Sequence, residues 1–210
     1  MIKTHFLKNH VFVCSRKMDV YNDRALDEYL FGLLKQGSSL YTLSEEGEMS
    51  AICVNYATSL VDTKNLSNFA AYRQDLNTKG LLCFISKMQE TPNLWDNYKQ
   101  FKIFEIKMLA VAPKHRRKGI ATMLASKSIE QAWDMGYNVV RMDCINDNDY
   151  KIAERCMMKC ESKFPLHELG DTKAPYIEEG SEYDRLVRVY VADRRQKEEK
   201  NRPFTLGLII

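Results

Sequence analysis

Long apolar runs are missing from this sequence. No run approaches the roughly 20 residues that a membrane-spanning helix needs. The N-terminus, MIKTHFLKNH, also lacks the apolar core of a signal peptide. The C-terminal segment TLGLII is apolar but short, so we expect it to pack on a surface or a partner rather than to anchor the chain. We therefore predict a cytoplasmic protein that does not bind membranes.

Metal-binding patterns are missing as well. None of the six cysteines forms a C-x-x-C pair, and no two histidines have the spacing of a zinc site. Cysteines in such an arrangement are typical of free thiols in a reducing compartment. We predict neither a metal site nor disulfides.

A large net charge is the third feature that the chain lacks. Its 31 Lys and Arg residues nearly balance 28 Asp and Glu residues, which leaves a formal charge of +3. This balance argues against a general polyanion-binding protein, so any positive field must be local. A length of 210 residues suits one α/β domain. We expect a single domain over residues 1–193 and a tail, first charged and then apolar, over 194–210.

Apolar periodicity predicts alternating helices and strands. A helix is expected over residues 22–36, followed by a β-hairpin around Glu45–Gly47. Thr91–Pro92 has the pattern of a helix cap and first-turn proline. The later elements are a strand over 101–111, a helix over 119–135, a strand over 137–145, a helix over 149–159 and a strand over 185–193. The first three of these form a strand–helix–strand unit, whose crossover makes the two strands parallel.

The most unusual segment is the basic run Lys114–Lys118, which lies between the end of a predicted strand and the start of a predicted helix. The first N–H groups of a helix are unpaired, and the helix dipole is positive there. An anion can accept hydrogen bonds from these groups, and Gly119 lets the backbone approach it closely. Walker and G-x-G-x-x-G loops are both absent from the sequence. The position of the run therefore predicts a different kind of polyphosphate site.

The segment MLAVAPKHRRKGIATMLASKSIEQAWDMGYNVVRMDC resembles motif A of the GNAT acetyltransferases, whose R/Q-x-x-G-x-G/A turn holds the pyrophosphate of acetyl-CoA. With ETPNLWDNYKQFKIFEI before it and AER after it, the chain is similar to the insect arylalkylamine N-acetyltransferases. The similarity covers about residues 25–193 and is strongest over 91–155. It implies an α/β GNAT fold, with a mixed, splayed central sheet of about six to seven strands and helices on both faces.

The resemblance also implies a set of cofactor-binding residues. The pantetheine arm of acetyl-CoA would pair with the strand at Leu109, Ala110 and Val111, and the turn with the first residues of the helix would hold the pyrophosphate. The implied residues of the turn, the helix and the following loop are Arg116, Arg117, Lys118, Gly119, Ile120, Ala121, Thr122 and Asn148.

The catalytic candidates rest on the same resemblance. Glu105 lies where the histone-acetylating branch of the superfamily has its general base, and partial burial is expected to raise its pKa. The alternatives for the base are Asp149, Asp147 or an N-terminal group, and Tyr150 or a water would serve as the acid. An ion pair of Glu105 with Lys107 or Lys102 is the structural alternative for this carboxylate.

The chain departs from the insect family at several positions. Ser15 aligns with an acidic residue of that family, and Ile145 and Asp149 replace its serines. Ile145 is expected to favour apolar acceptors. The usual first strand of the fold is either replaced by the segment HVFVC or missing.

These features lead to three alternatives. The preferred one is direct acetyl transfer to a small primary amine by a monomer or weak dimer that does not bind nucleic acid. The others are a divergent CoA-binding relative with an altered acceptor or little activity, and a basic nucleic-acid-binding module. Residues 58–100 are expected to form a roof over an aromatic acceptor. The aromatic residues in question are Phe69, Tyr72, Phe84, Trp95 and Tyr98.

Overall fold

The protein forms a six-stranded mixed sheet with helices on both faces. The structure, a computed structural model, describes residues 1–170, 176, 177, 182 and 184–195. The strands are β1 (Leu40–Leu43), β2 (Met49–Thr58), β3 (Ile103–Val111), β4 (Val139–Cys144), β5 (Lys159–Pro165) and β6 (Leu186–Asp193). Their order in the sheet is β1-β2-β3-β4-β6-β5, and among them only β3 and β4 pair in parallel. The predicted α/β class and parallel unit are confirmed.

Seven α-helices connect the strands in the described part of the chain. They are α1 (Val11–Ser15), α2 (Arg24–Leu34), α3 (Leu60–Ala71), α4 (Leu76–Glu90), α5 (Leu94–Tyr98), α6 (Ile120–Asp134) and α7 (Asp147–Arg155). Asp23 caps α2 by accepting a hydrogen bond from the N–H of Leu26, and Asp75 caps α4 in the same way through Thr78. None of the helices in the described ranges is long and apolar enough to cross a membrane.

Several details of the local structure differ from the expectations. The segment HVFVC contributes to helix α1, because Val11, Phe12 and Val13 turn into the core instead of alternating across a sheet. Of the two alternatives for the first strand, its replacement by HVFVC is therefore wrong, and a missing strand agrees with the described residues. The helix predicted over 149–159 ends at Arg155, because Lys159 already belongs to β5. Thr91 ends α4, whereas Asn93 caps the next helix with its side chain. Strand β5 was not expected from the sequence, because it is largely polar. Helix α3 was not expected either, because it is amphipathic only in part. Of the predicted tail, residues 196–210 lie outside the described residues.

Two apolar clusters cover the two faces of the sheet. On one face, helices α1, α2 and α4 bury Phe12, Leu26 and Phe84 against the strands. On the other face, α6 and α7 bury Leu124 and Ala153. Burial of such side chains stabilises the fold by roughly 1.5–3 kcal/mol each. The sheet is therefore held between two helical layers.

A β-bulge at Lys107 changes which residues of β3 face each layer. Strand β2 pairs Val54 with Met108 and Asn55 with Ile106, so Lys107 is an extra residue on β3. Such a bulge bends the strand and reverses the alternation of its side chains. As a result, the consecutive residues Lys107 and Met108 both lie toward the α2–α4 layer, on the face where Glu105 also lies.

Candidate active site

A cleft opens where β3 and β4 separate. The two strands pair only through residues 104–106 of β3 and 140–142 of β4, although β3 continues to Val111. Beyond this point one edge of β3 has no partner strand in the described chain. The cleft beside it has a volume of about 690 Å³, within the range of small-molecule sites. Leu109, Ala110 and Val111 line it, as the resemblance implied.

The basic turn forms one end of this cleft. Gly119 has a φ of 80° and is the N-cap of α6, where its backbone conformation is one that other residues rarely adopt. Among the described residues, no side chain caps this helix, so its first N–H groups remain open to the cleft. Arg116 Nε donates to the carbonyl oxygen of Val111 over 3.0 Å and so holds the turn against the end of β3.

Nearly all of the residues expected to bind the cofactor line the cleft. They are Leu109, Ala110, Val111, Arg116, Arg117, Gly119, Ile120, Ala121, Thr122 and Asn148. Lys118 is the exception within the described residues, because it is exposed and lies outside the lining. Lys114, the first cation of the run, forms an ion pair with Glu48 over 2.5 Å.

Further basic side chains were not expected at this site. Lys151 and Arg155 lie four residues apart on α7, which places them on the same face, and Arg185 contributes from the segment before β6. With Arg116 and Arg117, five cationic side chains line the cleft against the two carboxyl groups of Asp143 and Asp149. The i, i+4 spacing on α7 was visible in the sequence, whereas nothing there pointed to Arg185. The local positive field suits a polyanionic ligand.

Asp149 and Tyr150 are neighbours in sequence but lie in different environments. Asp149 lines the cleft at the start of α7 and accepts a hydrogen bond from Asn146 Nδ2 over 2.6 Å. Burial raises its pKa to about 6, against the effect of that hydrogen bond. Tyr150 is buried, donates its hydroxyl to the carbonyl oxygen of Leu186 and packs under Arg188. Within the described part of the chain, Tyr150 lines neither this cleft nor the cavity next to it.

A second, smaller cavity adjoins the cleft. It has a volume of about 70 Å³ and lies between β3, β4, α2, α4 and the N-terminal segment. Most of its wall is apolar, formed by Phe6, Leu7, Phe84, Ile85, Met88, Ile106, Met108 and Ile145. Its polar lining residues are His10, Tyr29, Gln89, Glu105, Lys107, Arg141 and Asp143. Phe6, His10, Asp143 and Ile145 line both spaces and therefore mark the junction between them.

Glu105 is buried in the wall of the small cavity with all of its acceptor sites in use. Its carboxylate accepts hydrogen bonds from Thr58, from Gln89 Nε2 at 2.9 Å and from Lys107 Nζ at 2.7 Å. Burial alone would raise its pKa, but the charges of Lys107 and Arg141 and the hydrogen bonds from Lys107 and Thr58 together lower the pKa below its usual range. The expected raised pKa is therefore wrong, and the alternative, an ion pair of Glu105 with Lys107, is the arrangement that the structure shows.

Arg141 on β4 supports the same wall and had no signal in the sequence. Its guanidinium is almost completely buried and donates to four carbonyl oxygens at the end of α4. These acceptors belong to Met88, Gln89, Thr91 and Pro92. Its Nε donates to Asp143 over 2.8 Å, while burial raises the pKa of Asp143 against this pairing. A cation at a helix C-terminus is favourable, so Arg141 fixes α4 against the sheet.

The predicted aromatic roof is mostly wrong. Of the five aromatic side chains expected there, Phe84 lines the small cavity, and the other four line neither of the two cavities described. Trp95 is buried and donates to the carbonyl oxygen of Thr58, Tyr98 donates to Glu161, and Tyr72 is 82% exposed. The N-terminal residues Phe6, Leu7 and His10 cover the cavity instead. The α-helical period could not show this, because Phe6 ends a short π-helical turn, Leu7 begins a 3-10 turn, and His10 is the N-cap of α1.

The sheet that opens beside a basic strand–helix turn is the architecture of a class of N-acetyltransferases. The chain matches the Acetyltransferase (GNAT) family over residues 17–154, and it therefore belongs to that family. No curated protein sequence is similar enough to match the chain.

The fold is similar to that of several solved amine acetyltransferases. It is similar to the Drosophila melanogaster polyamine N-acetyltransferase that forms N-acetylagmatine, at 14% identity, a TM-score of 0.80 and coverage of 91% of both chains. It is also similar to arylalkylamine N-acetyltransferase 2 from Aedes aegypti, at 18% identity, a TM-score of 0.79 and coverage of 92% of this chain and 91% of that one. At these identities the similarity shows the fold.

Proposed function

We propose that the protein transfers the acetyl group of acetyl-CoA directly to a small primary amine. The observation that carries this proposal is the junction of the two cavities. A cation-lined cleft of cofactor size meets a small, mostly apolar cavity at Phe6, His10, Asp143 and Ile145. A thioester at the end of the cleft would then lie next to an acceptor held in the cavity.

The cleft supports acetyl-CoA as the cofactor. In this proposal the pyrophosphate accepts hydrogen bonds from the open N–H groups of α6 and charge-assisted bonds from Arg116 and Arg117. The pantetheine arm runs along the unpaired edge of β3 at Leu109–Val111, which leads it from the basic turn to the junction. Membership of the GNAT family supports the same assignment.

The small cavity supports an amine with an apolar body that reacts in its neutral form. Its two carboxyl groups, Glu105 and Asp143, already have Lys107 and Arg141 as partners over 2.7 and 2.8 Å. No surplus negative charge in the described wall is left to hold a cation, so the wall disfavours both an ammonium ion and the guanidinium of agmatine. The volume of about 70 Å³ is well below the roughly 150 Å³ of a cavity that binds benzene. The cavity therefore accommodates the amino group and a short apolar arm, and a ring would lie near Ile145 at the junction.

Turnover of purified protein tests the proposal. Acetyl-CoA is supplied with phenethylamine, hexylamine, dopamine, agmatine and a histone-like peptide, and free CoA thiol is measured. We expect the apolar monoamines to react best and the peptide not to react. Acetylation of the peptide without turnover of any of the small amines would overturn the proposal. Binding of acetyl-CoA without turnover of any amine would favour the divergent CoA-binding relative instead, and tight, salt-dependent binding to DNA without affinity for CoA would favour the nucleic-acid module.

A further inference from the structure

Two buried polar atoms without partners belong to side chains that line the small cavity. His10 Nδ1 and Tyr29 Oη are both shielded from solvent, and neither has a hydrogen-bond partner among the described residues. Buried polar groups in folded proteins nearly always have partners, so such exceptions require an explanation. Two of them in the lining of one cavity indicate a polar ligand group that bonds to both.

The backbone around His10 holds its ring at the junction of the two cavities. Its N–H donates to the carbonyl oxygen of Leu7 over 2.9 Å, and its own carbonyl oxygen accepts from Cys14 over 2.9 Å. Although His10 is the N-cap of α1, its side chain makes no capping hydrogen bond. The ring instead packs edge to face against Phe84, with 5.6 Å between ring centroids, and against Phe6, with 6.0 Å between centroids. The His10 side chain thus lines the two cavities and does not cap the helix.

The other titratable groups near the junction already have partners. Glu105 is bonded to Lys107, Asp143 to Arg141 and Asp149 to Asn146. Among these groups in the described chain, His10 is the one that lines both cavities and has an unpartnered buried nitrogen. The other charged or titratable residues that line the two cavities are His5, Tyr29, Glu105, Lys107, His115, Arg116, Arg117, Arg141, Asp143, Asp149, Lys151, Arg155 and Arg185.

We propose that His10 Nδ1 accepts the proton that the acceptor amine releases on acetylation, and that the Tyr29 hydroxyl orients the amine nitrogen. This inference rests on the proposed function and names the proton acceptor within it. The nitrogen forms a bond to the thioester carbonyl carbon, and its proton passes to Nδ1. The C–S bond then breaks, and its electron pair leaves with the sulfur. The imidazolium returns its proton to the thiolate through solvent, so His10 ends neutral.

The electrostatics of both side chains fit these roles. Burial lowers the pKa of His10 to about 4, so that the imidazole is neutral and able to accept a proton. An imidazole of low pKa is a weak base toward a free ammonium ion. It is a better match for the nitrogen that has just bonded to the carbonyl carbon, since this electron-poor nitrogen is far more acidic. Burial also raises the pKa of Tyr29, with the charge of Glu105 adding to this effect, so its hydroxyl stays protonated.

Paired variants test the two roles. His10→Asn keeps a hydrogen-bond acceptor near the position of Nδ1 but cannot take up a proton, whereas His10→Phe keeps only the ring. We expect kcat to fall by about 10²- to 10⁴-fold in both, with acetyl-CoA affinity unchanged. The amine KM should rise in the Phe variant more than in the Asn variant. Tyr29→Phe should raise the amine KM by roughly three- to tenfold with a smaller effect on kcat.

Controls separate chemistry from folding. His167→Asn and Tyr41→Phe remove the same groups outside both cavities and should leave kcat and KM unchanged. Added imidazole should restore part of the activity of His10→Ala, which a purely structural role would not predict. Wild-type kcat in both His10→Asn and His10→Phe would overturn the proposal, and so would loss of acetyl-CoA binding in all three His10 variants. A wild-type protein that binds acetyl-CoA but acetylates no amine would overturn the proposed function itself.

Discussion

Lys107 Nζ lies 2.7 Å from Glu105 Oε2, and both side chains are almost completely buried in the wall of the small cavity. The two residues lie two positions apart on β3, so regular strand alternation places both side chains on the same face of the sheet. Glu105 is therefore an ionised partner of Lys107, and its low pKa makes it a poor proton acceptor. The charge pair fixes the electrostatics of the cavity in which we place the amine.

The pair should be important for stability. Glu105→Gln leaves the Lys107 ammonium buried without its counter-charge, and we expect the free energy of unfolding to fall by about 3–5 kcal/mol. The double variant Glu105→Gln/Lys107→Met removes both charges and should lose less stability than the single variant. Urea unfolding of the three proteins measures this. Equal losses in the single and double variants would show that the two charges are not coupled.

The same carboxylate gives a pH dependence with a defined sign. The pKa of Glu105 in the folded state lies below its ordinary value of 4.5, so the ionised form stabilises the fold above that pH. This contribution should be lost as the pH falls through 4.5 toward the lowered pKa. Between about pH 6 and about pH 3, the free energy of unfolding should therefore fall more for the wild type than for Glu105→Gln. Parallel curves for the two proteins would contradict the lowered pKa.

Binding of acetyl-CoA should depend on Gly119. Glutamate there would place a carboxylate at the phosphate site and force a side chain into a left-handed conformation, so we expect affinity to fall at least about tenfold, or 1.4 kcal/mol. Gly136→Glu is a matched control at the other end of α6, since Gly136 also has a positive φ, of 85°, and open space around it. Calorimetry with acetyl-CoA compares the two. Unchanged affinity in Gly119→Glu would refute the phosphate site.

The cations of the turn should differ in importance. Arg117 lines the cleft, whereas Lys118 lies outside its lining in the described chain. Arg117→Asn removes the charge while keeping a residue that tolerates the φ of 61°, and it should weaken acetyl-CoA binding by roughly tenfold. Lys118→Ala should have little effect. Equal losses in the two variants would indicate a diffuse charge effect instead of direct contacts.

The fold and most residues of the large cleft were easier to predict from the sequence than the small cavity. One wall of the cleft comes from a continuous unit, from Ile103 on β3 through Gly119 to Cys144 on β4, where strand and helix patterns are strong and local. The cavity depends on contacts between distant segments, such as His10 with Phe84 and Arg141 with the end of α4. Periodicity carries no information about such contacts. The ion pair of Glu105 with Lys107 was one of the alternatives that the sequence offered, whereas the charge of Arg141, which also lowers the pKa of Glu105, had no signal there.

Ile145 should determine which amines are accepted. It lines both cavities at their junction, and its apolar side chain lies where we place the body of the acceptor. Ile145→Ser shortens this side chain and adds a hydroxyl that can pair with a polar substituent, whereas an apolar wall leaves such a substituent without a partner. We expect the ratio of kcat/KM for dopamine to that for phenethylamine to rise by about tenfold in the serine variant, a difference of 1.4 kcal/mol. Ile145→Val is the control, since it removes one methyl group without adding polarity and should change both substrates alike. An unchanged ratio in Ile145→Ser, with acetyl-CoA affinity retained, would mean that the amine lies elsewhere in the site.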